Sequence, residues 1–207
     1  MKVLVLGDSH ARCFTGKIKS NIELLDVVSI PGASAQGLTN ENSKFQALNK
    51  FRTHLLKNID YDCVYLFFGE IDCNMTIWYY SQKYNISLKE QFLRSVNNYK
   101  TFIKKEINPY FSDKQINLLS PILPTIKTNM IQFQNTNRKN VTVTQSSRTR
   151  LTNIFSQYIE KFGYKFYSIN HLLLNHHTKL FDDKYEINNH HLDNRIAKKL
   201  WLSVLPI

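Results

Sequence analysis

The sequence contains few cysteines, and their number and spacing exclude two kinds of small protein. Cys13, Cys63 and Cys73 are an odd set in which no two form a CxxC pair. A disulfide framework normally uses an even number of cysteines, and a structural zinc site uses closely spaced pairs. We therefore expect three reduced thiols, as in a cytosolic protein.

Long apolar runs and a secretory leader are also absent from the sequence. No stretch approaches the roughly 18 consecutive apolar residues that indicate a membrane-spanning helix. After Met1 and Lys2 the chain enters a short strand-like run directly, without the longer apolar region and small-residue cleavage site of a signal peptide. We expect a cytoplasmic protein with no membrane span.

Acidic residues are much less frequent than basic ones. Asp and Glu total 16 and Lys and Arg total 27, which gives a net charge of +11. This charge favours anionic partners, such as phosphorylated cofactors, nucleotide sugars, acidic glycans or nucleic acid. The lysines are spread along predicted helices with no dense basic block, a pattern typical of a solvated surface. Nucleic-acid binding would rest on charge alone, and we do not predict it.

The apolar residues that are present occur in short runs that alternate with longer amphipathic segments. The chain has 207 residues, 43% of them apolar and 13% aromatic, which is enough to bury one core. The short runs are apolar enough to be buried on both faces, as parallel strands are. The predicted strands are Lys2–Leu6, Asp26–Ile30, Cys63–Phe68, Gln115–Ser120 and Lys165–Ile169.

Apolar residues at helical spacing lie between these runs and after the last one. The predicted helices are Leu88–Ile107, Leu151–Phe162, a weaker one over Phe45–Ile59, and a C-terminal one through Leu192, Ile196, Leu200 and Val204. Pro121–Gln145 and Asp182–Asn189 are predicted to be irregular. Strands that alternate with helices predict one three-layer α/β/α domain over residues 1–207, with a five-stranded parallel sheet in the flavodoxin-like order 2-1-3-4-5.

Polar residues cluster where the predicted strands end, and ligands bind at this edge of a parallel sheet. Ser9 follows the first strand and is the candidate nucleophile, with its amide at a helix start where anions are favoured. A serine needs a base to take its proton. The segment NNHHLDN, residues 188–194, offers His190 and His191 just before the last helix.

Four motifs have the order and spacing of the SGNH hydrolase superfamily, the GDSL-type esterases, which the chain resembles over nearly its whole length. They are Gly7-Asp8-Ser9, Gly32-Ala33-Ser34-Ala35, Gly69-Glu70-Ile71-Asp72 and Asn188-x-x-His191. The strings Gly-Asp-Ser-His and Gly-Glu-Ile-Asp-Cys are similar to a bacterial or viral branch associated with surface glycans.

The resemblance implies that Ser9 attacks an ester carbonyl and that His191 is its base. It also implies oxyanion donors at the Ser9 amide and at an amide of the second motif, near Ala35 or, in competition, Gly37. Asp72 is expected to hold its loop, and Glu70 either contacts substrate or bonds to loop amides. The candidate oxyanion or substrate-binding residues are Ala35, Gly37, Asn74, Glu70, Asp72 and His10.

One departure from the family affects the base. Asn188 occupies the position of the aspartate that stabilises the imidazolium, and loss of that charge can cost several orders of magnitude in rate. The remaining arrangement is a Ser–His dyad oriented by Asn188 or the backbone, or one that recruits Asp182, Asp183 or Asp193.

A second departure affects the oxyanion. Ile71 occupies the position of the family's oxyanion asparagine, and removal of one such donor costs about two to three orders of magnitude. Asn74, three residues later, is the candidate replacement.

Other residues near the motifs have ordinary explanations. Ser9 alone could be a helix cap. Trp78, Tyr79 and Tyr80 fit core packing better than a sugar-stacking wall. Cys13 fits a buried thiol better than a second nucleophile.

The resemblance implies acyl-ester chemistry on a carbohydrate, either as an O-acetylesterase or as an O-acetyltransferase of glycan assembly. No metal or cofactor is required, although acetyl-CoA is a candidate acyl donor, and the positive charge favours such a donor or an anionic glycan. The alternative is a non-hydrolytic protein of the same fold that binds glycans or transfers a group from a nucleotide-linked donor. Asn188 and Ile71 favour this alternative.

Overall fold

Seven strands form two sheets in the computed structural model, which describes residues 1–16, 21–57, 59–131, 141–185 and 191–207. The strands are β1 (Lys2–Gly7), β2 (Leu24–Ser29), β3 (Cys63–Phe67), β4 (Ile116–Leu119), β5 (Met130–Ile131), β6 (Val141–Thr142) and β7 (Lys165–Tyr167). Five of them make a wholly parallel sheet in the order β2-β1-β3-β4-β7. β5 and β6 form a separate antiparallel pair. The predicted sheet and its order are confirmed, since β7 is the fifth strand of this sheet along the chain.

Helices pack on both faces of the parallel sheet. The α-helices are α1 (Ala47–Leu55), α2 (Ile77–Tyr84), α3 (Leu88–Phe102), α4 (Gln145–Glu160), α5 (Asn170–Leu173) and α6 (Asn194–Val204). On one face, α1, α3 and α4 bury Phe51, Phe102 and Phe155, and on the other α6 buries Trp201. The predicted α/β/α architecture is therefore confirmed. No helix within the described ranges is long and apolar enough to cross a bilayer.

The central strand β1 shows why a continuous apolar run becomes a buried parallel strand. Val3, Leu4, Val5 and Leu6 are all fully buried. Successive side chains of a strand point to opposite faces, so Leu4 and Leu6 pack in the core on the α1 side, whereas Val3 and Val5 pack on the α6 side. Burial on both faces requires apolar residues at every position, which explains the absence of polar alternation.

Helix α4 begins at Gln145, six residues before the predicted start at Leu151, and ends at Glu160 instead of Phe162. Its start is set by Thr144, whose hydroxyl accepts a hydrogen bond from the Ser147 amide at 3.1 Å. The first turns of this helix bury polar side chains, so an analysis based on an apolar stripe could not detect them.

Part of the segment predicted to be irregular is anchored to α4. The Gln145 side chain donates to the Pro124 carbonyl at 2.9 Å. The buried Arg148 guanidinium donates to the carbonyls of Ile126 and Thr128 at 2.7 and 2.8 Å. These bonds fix the chain that leaves β4, and β5 and β6 follow within the same segment.

Candidate active site

The turn after β1 is shaped by close packing at Gly7. A Cβ atom at this position would lie 2.8 Å from both the Ala11 Cβ and the Phe67 carbonyl oxygen, so only glycine fits. The chain then enters a 3-10 helix, Ser9–Phe14, whose cap is Asp8. Ser9 is therefore held at the first helical residue, at the carboxyl end of the central strand.

The nucleophile and base predicted from the sequence lie next to each other. The Nε2 atom of His191 is 2.8 Å from the Ser9 Oγ, although the two residues are 182 positions apart. His191 precedes α6, and it is fixed there by the buried side chain of Leu192 and by Asp193, which caps the helix. A neutral imidazole at this distance can accept the serine proton.

The aspartates considered as partners of the base have other contacts. Asp193 accepts hydrogen bonds from the first amides of α6, including that of Arg195 at 2.8 Å. Asp182 pairs with Lys184 at 3.0 Å. The structure thus corrects the expectation that either is recruited, because each already has a local partner. Asn188 and His190 lie outside the described residues, as does the side chain of Asp183.

A buried polar cluster is formed by Asp8, His10, Glu70 and Asn74. The His10 Nδ1 is 3.2 Å from the Asp8 Oδ1 and 3.8 Å from the Glu70 Oε2. Asn74 completes the cluster by donating to Glu70 from its side-chain amide. All four side chains are buried. The cluster also touches the base, because the ring centroids of His10 and His191 are 4.9 Å apart.

The charges in this cluster favour an imidazolium at His10. Burial opposes the charged ring, but the charge of Glu70 and the hydrogen bond and charge of Asp8 outweigh it and raise the pKa of His10 to about 9. Burial raises the pKa of Glu70, and the positive charge of His10 opposes this effect. These contacts favour the protonated form of His10 at neutral pH.

The same three residues have the composition of a metal site, with ligand atoms all within 4.8 Å of one another. A metal ion binds the deprotonated imidazole. In the structure the His10 Nδ1 is hydrogen-bonded to Asp8 at 3.2 Å, so these atoms are paired with each other in a buried cluster.

The second and third motifs are joined by Asp72. Its carboxylate accepts hydrogen bonds from the amides of Ala35 at 2.6 Å and Gln36 at 2.9 Å. Burial raises the pKa of Asp72 to about 6, although these hydrogen bonds favour the charged form. The Gly37 amide is bonded to Ser34 through both its hydroxyl and its carbonyl oxygen.

These contacts correct the oxyanion assignments made from the sequence. The amides of Ala35 and Gly37 are engaged within the protein instead of pointing to a bound carbonyl. The side-chain amide of Asn74 is likewise engaged with Glu70, so it does not replace the donor missing at Ile71. The physical reason differs between the positions. The acidic residues after β3 bind the Ala35 amide and the Asn74 side chain, whereas the Ser34 cap binds the Gly37 amide.

The remaining candidates fit ordinary structural roles. Tyr79 is buried on α2, and the indole of Trp78 donates to the Cys73 carbonyl at 2.6 Å. Tyr80 stacks on Tyr84 with a centroid separation of 5.5 Å. Cys13 is buried, and burial raises the pKa of its thiol far above the range of a nucleophile.

Asp8 is a member of the buried cluster that the sequence motifs did not predict. Its side chain accepts a hydrogen bond from the His10 amide at 2.9 Å and contacts the His10 ring. The sequence did contain a signal, because an aspartate two residues before a histidine at a helix start can bond to both groups. Helix α2 and the anchoring role of Arg148 were likewise not predicted.

Comparisons with known proteins complete this description. No protein-family model and no curated protein matches the chain. Twenty-eight chains of solved structures do match. One is the acetyl xylan esterase AlAXEase, with a TM-score of 0.54, 16% identity, and coverage of 99% of this chain and 100% of that one.

Two further matches cover nearly the same residues. A GDSL-like lipase from Bacteroides thetaiotaomicron has a TM-score of 0.57, 14% identity, and coverage of 98% of this chain and 85% of that one. A candidate SGNH hydrolase from Slackia heliotrinireducens has a TM-score of 0.55, 13% identity, and coverage of 98% and 97%. The chain has the SGNH hydrolase fold. One SGNH fold serves several chemistries, so the activity has to be argued from the site.

Proposed function

We propose that the chain is a serine-dependent enzyme that cleaves or transfers an acyl ester on a carbohydrate through an acyl-Ser9 intermediate. The observation that carries this proposal is the 2.8 Å distance between the His191 Nε2 and the Ser9 Oγ. Such a contact between residues from opposite ends of the chain serves no evident packing purpose. It is the arrangement that a nucleophile and its base require.

The reaction follows from this contact. The Ser9 Oγ attacks the carbonyl carbon of the ester while its proton passes to the His191 Nε2. The resulting oxyanion collapses, the bond from carbon to the sugar oxygen breaks, and that oxygen takes the proton from His191. Water or a second sugar hydroxyl then attacks the acyl-Ser9 carbonyl and gives its proton to His191. The serine oxygen leaves and recovers this proton, which restores the starting state.

We propose that Ser9 and His191 work as a dyad. Asp182 and Asp193 have other partners, and the family resemblance places Asn188 at the position of the aspartate that orients the base. In serine triads the loss of the aspartate charge lowers the rate strongly. We therefore expect modest turnover that depends fully on Ser9.

Three observations support a carbohydrate ester as the substrate. The motifs resemble a branch associated with surface glycans, one structural match is an acetyl xylan esterase, and the net charge of +11 suits an anionic glycan or a phosphorylated donor. We propose an acetyl group as the acyl unit. Acetyl-CoA is the candidate donor if the enzyme transfers the group, and water is the acceptor if it hydrolyses the ester.

The test is hydrolysis of an aryl acetate by the wild type, by Ser9→Ala and by Ser203→Ala. Ser203 is exposed near the end of α6 and is the matched control. We expect Ser9→Ala to lose about 10³-fold or more in rate and Ser203→Ala to match the wild type. Equal rates for all three proteins would overturn the proposal and leave the non-hydrolytic alternative.

A second assay separates hydrolysis from transfer. The wild type is incubated with an acetylated oligosaccharide in water, and separately with acetyl-CoA and the unacetylated oligosaccharide. Release of acetate in the first reaction indicates an esterase, and an added acetyl mass on the sugar in the second indicates a transferase. Ser9→Ala is expected to abolish whichever product appears.

A further inference from the structure

The site lacks a second oxyanion donor at the positions where the family resemblance places one. The Ala35 amide is bonded to Asp72, the Gly37 amide to Ser34, and position 71 is an isoleucine. The Ser9 amide remains, because it is at the first residue of a helix, where amides have no partner within the helix. One donor alone gives weak stabilisation of an oxyanion.

The His10 ring lies beside the pair formed by Ser9 and His191. Its ring contacts the ring of His191 at 4.9 Å between centroids, and His191 is within hydrogen-bond distance of the Ser9 hydroxyl. The His10 Nδ1 faces Asp8 and Glu70. Within the described part of the chain, the His10 Nε2 has no hydrogen-bond partner.

The ring is also held firmly in this position. Asp8 binds both the backbone amide and the Nδ1 of His10, and Phe67 packs near the ring with a centroid separation of 6.2 Å. The second oxygen of Asp8, Oδ2, is buried without a hydrogen-bond partner among the described residues. A buried carboxylate of this kind is stabilised by a nearby positive charge, which favours the imidazolium form of His10.

We infer that His10, held as an imidazolium between Asp8 and Glu70, donates from its Nε2 to the oxyanion formed when Ser9 attacks, in place of the asparagine absent at position 71. This inference rests on the proposed acyl-Ser9 chemistry. His10 is then a catalytic residue rather than a packing residue, since it touches the reacting atoms.

Opposite charges lie close to one another in the site during the reaction. The carboxylates of Asp8 and Glu70 face the His10 Nδ1, and His191 becomes positive as it takes the serine proton. The two cationic rings are in contact, so the oxyanion and the two carboxylates together offset the repulsion between them. A neutral side chain at position 10 would lose this arrangement.

The inference predicts a specific dependence of rate on pH. The groups that face His10 and carry charge are Asp8, Glu70 and His191. The protonated form of His10 is the active one, so activity is present below its pKa of about 9 and falls as the pH rises through that value. Replacing Glu70 with glutamine removes a nearby negative charge and moves this decline to lower pH.

The experiment measures kcat/KM for an aryl acetate between pH 6 and pH 10, corrected for uncatalysed hydrolysis, for the wild type, His10→Gln, Glu70→Gln and His177→Gln. His177 is exposed and serves as the matched control. We expect His10→Gln to lose about 10²- to 10³-fold at neutral pH and to lose the alkaline decline. Glu70→Gln keeps its side-chain shape, and we expect its decline to shift to lower pH, whereas His177→Gln follows the wild type.

The outcomes separate this inference from the proposed function. If turnover depends on Ser9 but His10→Gln keeps the rate and pH profile of the wild type, the inference alone is wrong. If turnover does not depend on Ser9, both are wrong. Thermal unfolding of each variant identifies misfolding. If His10→Gln unfolds, the Glu70→Gln profile decides, and an unchanged alkaline decline in that variant overturns the inference.

Discussion

Two buried acidic side chains follow β3 only two residues apart, and the fold compensates them in different ways. Asp72 accepts hydrogen bonds from the Ala35 and Gln36 amides, which are neutral donors. Glu70 instead faces the His10 ring at 3.8 Å. Neutral amides fix geometry without adding charge, whereas an imidazolium places a positive charge beside the reacting hydroxyl. Asp72 therefore has a structural role, and in our proposal the carboxylate of Glu70 keeps His10 protonated.

Removing the carboxylate of Asp72 gives the largest expected change in stability. Asp72→Ala leaves the Ala35 and Gln36 amides without their acceptor in a buried site, and we expect a loss of about 3 kcal/mol in the free energy of unfolding. Urea unfolding followed by circular dichroism measures this loss. A loss below about 1 kcal/mol would contradict the structural role of Asp72, and Glu70→Gln provides the comparison at the neighbouring acid.

The dependence of stability on pH also tests the difference between Asp72 and Glu70. Burial raises the pKa of Asp72 to about 6 in the folded protein, above its unfolded value, so the folded state binds this proton more tightly. Stability is therefore fully present below the unfolded pKa and declines, by up to about 3 kcal/mol, as the pH rises from about 4 to 6.

This decline is measured as the difference in unfolding free energy between the wild type and Asp72→Asn at several pH values, because contributions from other groups cancel. We expect the wild type to become less stable relative to Asp72→Asn as the pH rises from about 4 to 6. A difference that is constant with pH would show that the Asp72 carboxyl titrates as it does in the unfolded chain.

The smallest expected effect concerns the loop that Asp72 holds. The Ser34 hydroxyl accepts a hydrogen bond from the Gly37 amide at 3.1 Å and caps the short helix Ala35–Thr39. Ser34→Ala removes this cap, and we expect a stability loss of about 1 kcal/mol with little change in pH profile. Thermal unfolding measures the effect. A loss equal to that of Asp72→Ala would show that the cap contributes as much to the loop as the carboxylate does.

The sequence predicted the sheet well because its signals are local. The runs that become β1 and β3 are apolar at every position, and burial on both faces demands this pattern. The proximity of Ser9 and His191 also followed from a motif resemblance, since both positions lie at the same edge of the sheet. The role of this pair stays a proposal until turnover is measured.

The details that the sequence did not predict depend on long-range hydrogen bonds between polar side chains. The start of α4 was misplaced because its first residues bury the polar side chains of Gln145, Arg148 and Thr149 instead of apolar ones. The Ala35 amide was assigned to an oxyanion because nothing in its own motif shows that Asp72, 37 residues later, binds it. Whether an amide bonds to an internal carboxylate or to a substrate depends on where these groups lie in the folded chain, which the motif does not show.

The packing of α6 couples the hydrophobic core to the contact between Ser9 and His191. Trp201 of this helix packs against Phe14, at the end of the short helix that begins with Ser9, and against Phe67 of β3. His191 precedes the same helix, so one docked helix both seats the tryptophan and holds the imidazole beside the Ser9 hydroxyl. A substitution that loosens α6 would therefore expose an indole and separate these two side chains in the same event.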